Sequence, residues 1–438
     1  MRLKGCWAIA PLLLTACWGG GPVALEPITK GPDVFARQVF DPRTGQVFAS
    51  GTAIAGGRLT VRALKAGSGE RVSGARVTVM GPTLAYGTTS SLDLTLQPLE
   101  KGSYRVRIEA PGCVPQLSEP LTLDPQAPPT LVVSLVPSGG DVTGRALGAD
   151  GKPLAGARIS VGEAYAFADA TGRFTLKGAP AGAQTLSVSK TGYATVTREI
   201  TVGASEVALG DVSAPTAAKT VSFENATQTF AGTTVGNALS ALQTRLTSEG
   251  FVTVSADADA AVRVVSSPRD AYATDATVER LRAFVAGGGK LVLMGEWGGF
   301  GDYSPAALNK IAIPYGLGFN ADQVRLGTAS PSAWVSVPVS PGALPTPGAV
   351  SGGLKLYEAC SLFAPPPAVR LSSLGQEGYR VSSIVSGDFT VVAARPYGRG
   401  LVIALGDTSA WASPGTQGKA SNLEEASNGA FISDLFLW

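Results

Sequence analysis

Residues 155–161 read Ala-Gly-Ala-Arg-Ile-Ser-Val, and residues 73–79 read Ser-Gly-Ala-Arg-Val-Thr-Val. A second pair of matching blocks follows, Gly-Ser-Tyr-Arg-Val-Arg-Ile at 102–108 and Gly-Ala-Gln-Thr-Leu-Ser-Val at 182–188. Each copy continues to a glycine followed by a bulky residue, Gly112-Cys113 and Gly192-Tyr193. The spacing of the matching blocks agrees to within about two residues, so we expect two copies of one structural unit.

Each copy has the pattern of short β-strands separated by turns. In the second copy, Asp150-Gly151 and the segment Asp169–Gly172 are turn sequences in which glycine supplies a positive φ. The strands expected in this copy are Asp141–Ala146, Arg158–Val161, Arg173–Leu176, Thr185–Ser189 and Thr195–Val202. Short strands at this spacing predict β-sandwiches, which we assign to residues 57–137 and 138–215.

Three segments of the second copy carry a resemblance to a known family. They are Gly-Lys-Pro-Leu-Ala-Gly-Ala-Arg-Ile-Ser-Val at 151–161, Ala-Asp-Ala-Thr-Gly-Arg-Phe-Thr-Leu at 168–176, and Ala-Gly-Ala-Gln-Thr-Leu-Ser-Val-Ser-Lys-Thr-Gly-Tyr at 181–193. Together they resemble the carboxypeptidase regulatory-like domain. The resemblance covers residues 57–136 less well, because Leu84–Leu96 lacks the Asp-x-x-Gly turn. It implies a transthyretin-like sandwich that acts as a spacer or interaction unit, with no peptidase activity of its own.

Residues 216–438 alternate between helical and strand patterns. Helices are expected at Thr234–Ser248, Asp275–Ala286, from Ser304-Pro305 onward, and at Glu424–Leu437. The strands expected are Phe251–Val254, Ala261–Val265, Lys290–Met294, Val381–Val385, Phe389–Ala394 and Leu401–Leu405. The alternation predicts an α/β layered domain with a mostly parallel sheet. The fold class expected for the chain is therefore multidomain, with two all-β sandwiches followed by this α/β domain.

This carboxyl-terminal part also resembles a known group. The residues are Leu-Arg-Ala-Phe-Val-Ala-Gly-Gly-Gly-Lys-Leu-Val-Leu at 281–293, the segment Asn309–Asn320, and Gly-Arg-Gly-Leu-Val-Ile-Ala-Leu-Gly-Asp at 398–407. They are similar to glutamine-amidotransferase-like domains, and most similar to non-catalytic relatives in bacterial envelope proteins and in an intraflagellar-transport protein. The cysteine of a Gly-x-Cys-x-Gly elbow and its histidine partner are both missing from the sequence. Glutaminase activity is therefore not implied.

The amino terminus has the pattern of a lipoprotein signal peptide. Arg2 and Lys4 precede a short apolar run that ends in Leu14-Thr15-Ala16-Cys17. This ending resembles the bacterial lipobox, which implies cleavage after residue 16 and attachment of acyl chains such as palmitate at Cys17. Residues 17–56 are then expected to be an anchor and tether, with a short strand at Arg37–Phe40 that docks onto the first sandwich. The expected location is the cell envelope, outside the cytoplasm, on either the cell membrane or the outer membrane.

Composition excludes several kinds of chemistry. The chain contains no histidine, so Ser-His-Asp and Cys-His catalytic sites cannot form, and the usual zinc sites are excluded as well. The formal net charge is only +2 and there is no basic stripe, so nucleic acid is not an expected partner. Cys113 and Cys360 are expected to be isolated thiols. We expect no cofactor and no metal.

Polar residues follow several strands of the expected parallel sheet. Ser266 and Ser267 follow one strand, Glu296 follows a second, and Asp407 follows a third. Trp297, Asp302, Asn320 and Asn428 are the further residues expected near this edge. Ligands bind beyond the carboxyl ends of parallel strands, so these side chains are candidates for a ligand cleft. The alternative is structural: the serines and Asp407 cap loops or helix starts, and Glu296 is a solvated turn residue.

Two classes of function remain open. The first is a non-catalytic envelope lipoprotein that presents an α/β domain on β-sandwich spacers and binds an envelope protein or a glycan. The second is an enzyme, a hydrolase acting on envelope glycans with Glu296 and Asp407 as its carboxylate pair. A further alternative to the first is an accessory subunit of an export or surface-assembly system. The absence of histidine and of a nucleophile elbow favours the non-catalytic class.

Overall fold

The computed structural model describes residues 38–49, 56–230, 232–300, 303–326, 335–337, 353–375, 378–381, 385–414 and 420–438. Every structural statement below concerns these residues. The signal peptide, Cys17 and Asp302 lie outside them, and so does most of the expected tether. Among the described residues, no helix combines the length and apolar character needed to span a bilayer.

The first sandwich is formed by strands β1 to β10. Their bounds are β1 Gln38–Asp41, β2 Gln46–Ala49, β3 Gly57–Lys65, β4 Arg76–Met80, β5 Leu84–Thr88, β6 Leu94–Leu99, β7 Gly102–Glu109, β8 Gln116–Leu117, β9 Leu121–Leu123 and β10 Thr130–Leu135. One sheet has the order β2-β1-β5-β4-β7-β8, with β9 also on β7, and the other has the order β10-β3-β6. Part of the expected tether is thus a hairpin, β1-β2, and β1 pairs with β5.

The second sandwich is formed by strands β11 to β17. Their bounds are β11 Val142–Gly148, β12 Arg158–Val161, β13 Ala164–Phe167, β14 Arg173–Leu176, β15 Gly182–Ser189, β16 Val196–Val202 and β17 Val207–Ala214. Its sheets have the orders β14-β11-β17 and β13-β12-β15-β16. Apart from the β1-β2 hairpin, these orders repeat those of the first sandwich. The parallel pairing of β3 with β10 corresponds to the parallel pairing of β11 with β17. The internal repeat in the sequence therefore corresponds to a repeated topology.

The remainder contains strands β18 to β33 and five α-helices. The strands are β18 Lys219–Phe223, β19 Thr229–Phe230, β20 Thr233–Thr234, β21 Phe251–Val254, β22 Val262–Ser266, β23 Lys290–Met294, β24 Gly318–Phe319, β25 Val324–Leu326, β26 Val335–Val337, β27 Leu354–Leu356, β28 Leu362–Phe363, β29 Val369–Ser373, β30 Gly378–Arg380, β31 Val385–Ser386, β32 Thr390–Tyr397 and β33 Gly400–Leu405. The helices are α1 Val235–Ala238, α2 Ser240–Ser248, α3 Asp275–Ala286, α4 Pro305–Ala312 and α5 Asn428–Leu437.

The main sheet of this part has the order β21-β18-β22-β23-β33-β32-β29. The pairings from β21 through β33 are parallel, and the last two are antiparallel. Alternate residues of β23 enter different cores, because successive side chains of a strand point to opposite faces. Val292 and Met294 pack in the core that contains residues of α2 and α5, whereas Leu291 and Leu293 pack with residues of α3 and α4.

Several elements differ from the expectations. The helix expected at Thr234–Ser248 is interrupted at Leu239, which separates α1 from α2. The final helix begins at Asn428 rather than Glu424, because Asn422–Glu424 is a 3-10 turn and Ala426 has a φ of 42°. The strand expected at Val381–Val385 does not form as such: strands end at Arg380 and begin at Val385, and residues 382–384 lie outside the described ranges.

Both sandwiches pack directly against the carboxyl-terminal part. In the first, the ring of Phe40 stacks on Phe363 with 5.5 Å between centroids, and the amide nitrogen of Ala321 donates to the carbonyl of Gly45 at 3.0 Å. In the second, the hydroxyl of Tyr165 donates to the carbonyl of Pro367 at 3.2 Å. The three parts of the described chain are therefore in mutual contact.

Candidate functional site

The segments that follow β22 and β23 are joined at the carboxyl ends of the strands by Thr408, which follows β33. β22 ends at Ser266, and Thr408 follows β33. The hydroxyl oxygen of Thr408 lies 3.2 Å from the hydroxyl oxygens of both Ser266 and Ser267, and it donates to the carbonyl of Gly295 at 2.9 Å. The topology thus brings the ends of β22, β23 and β33 together, as the parallel arrangement requires.

Glu296 is fully buried, so the expectation that it is a solvated turn residue is wrong. The hydroxyl of Ser409 donates to its Oε2 at 2.8 Å, and the backbone amide of Ser409 donates to the same oxygen at 3.3 Å. Burial, and then the nearby charge of Asp407, raise the pKa of Glu296 well above its usual value. The shift favours the neutral carboxylic acid over the carboxylate.

Asp407 is also buried, and its oxygens accept hydrogen bonds from the backbone. The amide of Tyr357 donates to Oδ2 at 2.6 Å, and the amide of Ala410 donates to Oδ1 at 3.1 Å. Burial raises the pKa of Asp407 to about 7, although these amides oppose the shift. Burial thus shifts both carboxyl groups of the pair towards their neutral forms. Because Asp407 accepts from Ala410, the structural expectation that it caps a helix start is consistent with its contacts.

Asn428 hydrogen-bonds backbone, and Asn320 hydrogen-bonds the hydroxyl of Ser361 while its buried Oδ1 has no partner among the described residues. The Oδ1 of Asn428 accepts from the amide of Lys355 at 2.8 Å, and its Nδ2 donates to the carbonyl of the same residue at 2.8 Å. The Nδ2 of Asn320 donates to the hydroxyl of Ser361 at 2.7 Å. Both asparagines are buried, so they fix the start of α5 and the segment before β25.

The aromatic loop after β23 packs on itself. A Cβ at Gly299 would lie only 2.0 Å from the ring of Trp297, so the indole covers its own loop. The ring of Phe300 lies 5.4 Å from that of Phe230. Trp297 is half-buried and is not held out into solvent as a free stacking platform.

Two residues near the carboxyl pair were not predicted as site residues. Cys360 is buried, and burial together with Asp322, Glu296 and Asp407 raises the pKa of its thiol well above the usual value. Burial likewise raises the pKa of Tyr303 above its usual value. Cys360 is thus a neutral thiol, which argues against a nucleophilic role. Both lie in irregular segments, where no periodic signal in the sequence marks them.

A cavity of about 410 Å³ adjoins this edge of the sheet. Its lining includes Phe230, Ser267, Asp270, Phe300 and Tyr303. Ser267 has a φ of 42°, a conformation that a residue with a side chain rarely adopts, and such strain is concentrated at functional positions. The volume and the mixed aromatic and polar lining suit a small polar ligand or a protruding side chain of a partner.

Metal binding finds no support at this edge. Within the part of the chain that the structure describes, no group of three or more aspartate, glutamate, cysteine or histidine side chains could hold a metal ion. Cys113 and Cys360 are both free thiols. Oε2 of Glu296 and both carboxyl oxygens of Asp407 already accept hydrogen bonds from hydroxyl or backbone amide groups of the chain.

The comparison with protein families confirms one resemblance. Residues 141–215 match the model of the carboxypeptidase regulatory-like domain, which covers β11 to β17. No curated protein matches the chain in a sequence comparison. The described chain is therefore a multidomain, strand-rich protein that contains a carboxypeptidase regulatory-like domain.

Solved structures add distant neighbours. The chain is similar to the mmIFT52 N-terminal domain at 18% identity, covering 50% of this chain and 96% of that one, with a TM-score of 0.38. It is similar to a streptococcal ancillary pilin at 17% identity, covering 39% of this chain and 65% of that one, with a TM-score of 0.21. It is also similar to GBS52, a minor pilin of Streptococcus agalactiae, at 15% identity, covering 37% and 96%, with a TM-score of 0.19.

Proposed function

We propose that this chain is a non-catalytic lipoprotein of the cell envelope, anchored through Cys17, whose carboxyl-terminal α/β domain binds a ligand or a partner protein. In this proposal residues 216–438 form an α/β layered domain of the glutamine-amidotransferase-like kind without its catalytic residues. Support comes from the packing of helices against both faces of the main sheet. The sandwiches serve as a platform in direct contact with this domain.

The observation that carries the proposal is the enclosure of the carboxyl pair. A glycoside hydrolase needs one carboxyl group that reaches the glycosidic oxygen and a second that reaches the sugar or a water molecule. Glu296 is fully buried and Asp407 is 1% exposed, and both accept hydrogen bonds from the chain itself. A polymer cannot reach them without local unfolding, so we favour binding over glycan hydrolysis.

Binding is expected at the cavity beside Ser267. The test is to fill its mouth with Thr229→Trp, because Thr229 is exposed and lines the cavity. Thr197→Trp is the matched control, at an exposed position of β16 in the second sandwich. Cross-linking in intact cells, followed by affinity purification and mass spectrometry, is expected to recover a specific partner protein or glycan with the wild type and the control but not with Thr229→Trp.

Two results would contradict binding at this cavity. One is equal recovery of the same partner with Thr229→Trp and with the wild type. The other is hydrolysis of purified envelope polysaccharide by the wild type but not by Glu296→Gln. That result would support the hydrolase hypothesis instead. A partner recovered reproducibly from an export or surface-assembly system would assign the chain to that system.

The lipid anchor has a separate test. Cys17→Ser is expected to abolish incorporation of labelled palmitate and to release the protein from the membrane fraction, because the thioether to diacylglycerol cannot form. Cys113→Ser is the control: Cys113 is a free, partly buried thiol of the first sandwich, so labelling should persist. Unchanged labelling in Cys17→Ser would remove the anchor from the proposal.

A further inference from the structure

A second cavity lies at the opposite edge of the main sheet, between the second sandwich and the amino ends of the parallel strands. Its volume is about 410 Å³. The sandwich contributes Arg158 and the segment 189–193, and the sheet contributes the Gly287–Gly289 turn before β23 and Arg399 before β33. It is separate from the cavity beside Ser267, which lies at the carboxyl ends of the same strands.

The lining of this cavity contains more basic than acidic side chains. Arg158, Lys190, Lys290 and Arg399 line it together with Asp259, and burial lowers the pKa of Lys190 to about 8 and that of Lys290 well below its usual value. Lys290 is enclosed and donates to the backbone oxygens of Leu435, Phe436 and Trp438, at 2.6 to 3.0 Å. The ammonium of Lys190 donates to the carbonyl of Ala155 at 2.6 Å. Among the described residues, none of these four cations forms an ion pair with a carboxylate side chain.

Arg158 is the least satisfied of the four. It is 5% exposed, and only its Nη2 has an acceptor, the carbonyl of Gly398 at 2.6 Å. Its Nε and Nη1 are buried and have no acceptor in the described structure. Burial lowers the pKa of Arg158 to about 10, its guanidinium lies over the ring of Tyr165 at 5.6 Å from the centroid, and the nearby Glu163 is paired with Arg107. A buried charged donor left without a partner is costly, so the site is incomplete without an acceptor.

We propose that this cavity binds a small anion through an anionic oxygen group, a phosphate or a carboxylate, with Arg158 as the central donor and Lys190 and Arg399 at its rim. A guanidinium presents several N–H groups in one plane, which match two oxygens of such a group. Tyr193 and Phe167 in the lining provide apolar surface for an organic substituent. The site is independent of the partner-binding cavity.

The direct test is equilibrium dialysis of the soluble full-length chain carrying Cys17→Ser against radiolabelled inorganic phosphate, with ionic strength fixed by sodium chloride. We expect saturable binding of about one phosphate per chain, with a dissociation constant of about 1 mM or tighter. Phenyl phosphate and benzoate should compete, whereas benzyl alcohol should not. Stronger competition by phenyl phosphate than by phosphate would identify an organic phosphate, and stronger competition by benzoate would identify a carboxylate.

Arg158→Gln is expected to weaken phosphate binding at least about tenfold, because it removes a charge-assisted donor. Arg173→Gln, at an exposed position of the same sandwich, should leave binding unchanged. Because Arg158 is buried, its variant could fail to fold, so Arg399→Gln at the exposed rim is the second test. It should weaken phosphate binding several-fold while the circular dichroism spectrum stays unchanged. Absence of saturable binding by the wild-type cavity up to about 20 mM phosphate, or equal binding by Arg399→Gln, would overturn the proposal.

Discussion

Glu296 and Asp407 meet at the carboxyl edge of the sheet in surroundings that water does not reach. Burial raises the pKa of both side chains, and Ser409 donates to Glu296 while the amide of Ala410 donates to Asp407. Raised carboxyl pKa values are common at catalytic sites, but structural pairs produce them too. Here Oε2 of Glu296 and Oδ1 of Asp407 each accept a hydrogen bond from the segment after β33. The pair therefore holds the loops after β23 and β33 together.

The protonation of Glu296 predicts how stability depends on pH. The raised pKa means that the folded chain keeps a proton that the unfolded chain releases above about pH 4.5, so the free energy of unfolding should fall as pH rises above that value. Glu296→Gln resembles the neutral acid and should flatten this fall, by at most about 1.4 kcal/mol per pH unit. Chemical denaturation at several pH values measures it. Glu119→Gln, at an exposed position, is the control; parallel slopes for wild type and Glu296→Gln would refute the assignment.

Sequence patterns located most site residues but could not give their surroundings. The end of a buried parallel strand marks Ser266, Glu296 and Asp407, because the register of parallel strands fixes which edge they share. Whether an edge is open or covered depends on segments distant in sequence. The amide of Tyr357, far along the chain, is one donor that encloses Asp407. No local pattern predicts this contact, and none predicts the burial of Glu296, whose Oε2 accepts from the hydroxyl of Ser409 in the segment after β33.

At the scale of elements, helices with a full apolar stripe and clear caps were predicted best. The helix Asp275–Ala286 has the predicted bounds, with Thr274 accepting from the amide of Thr277 at its start. The strands Ala164–Phe167 and Val207–Ala214 were missed, because neither has a strict apolar alternation. The strand β17 is stabilised by its parallel pairing with β11, a contact that the sequence pattern of β17 does not indicate.

The cap of α4 gives a prediction for a single element. The hydroxyl of Ser304 accepts from the amide of Ala306 at 3.3 Å, and Pro305 occupies the first turn. Ser304→Ala should lower the free energy of unfolding by about 1 kcal/mol, whereas Ser304→Gly should lower it by only a few tenths. Urea denaturation of the two variants measures the difference. No loss of stability in Ser304→Ala would show that the hydroxyl does not stabilise this helix.

At the scale of the whole molecule, an apolar cluster between the first sandwich and the carboxyl-terminal part joins distant segments. Phe40 of β1, Met80, Leu84 and Tyr86 pack with Ile313 and Phe363. A side chain at Gly318 would meet the ring of Phe40 at 2.3 Å, so glycine allows this close approach. The sequence predicts a strand near residue 40 that docks onto the sandwich, but not that its other face contacts the carboxyl-terminal part.

Phe40→Ala tests whether this contact holds the parts together. The substitution removes a fully buried ring and should cost about 3–5 kcal/mol. It should also speed amide hydrogen exchange at residues 319–321, on the far side of the interface. Phe174→Ala, in the core of the second sandwich, is the control, with a comparable cost but no local change at 319–321. If both variants exchange alike there, the contact does not order that segment.

The repeated sandwich topology has a consequence for aggregation. In the second copy β13 ends a four-stranded row and leaves one side of its backbone unpaired, whereas the equivalent strand of the first copy, β5, pairs with β1. The first copy blocks this template with the β1-β2 hairpin. The second has no hairpin there, and instead places Tyr165 and Phe167 of β13 against Pro367 and Trp438. Separated from the rest of the chain, the second copy would lose this shield and become prone to self-association.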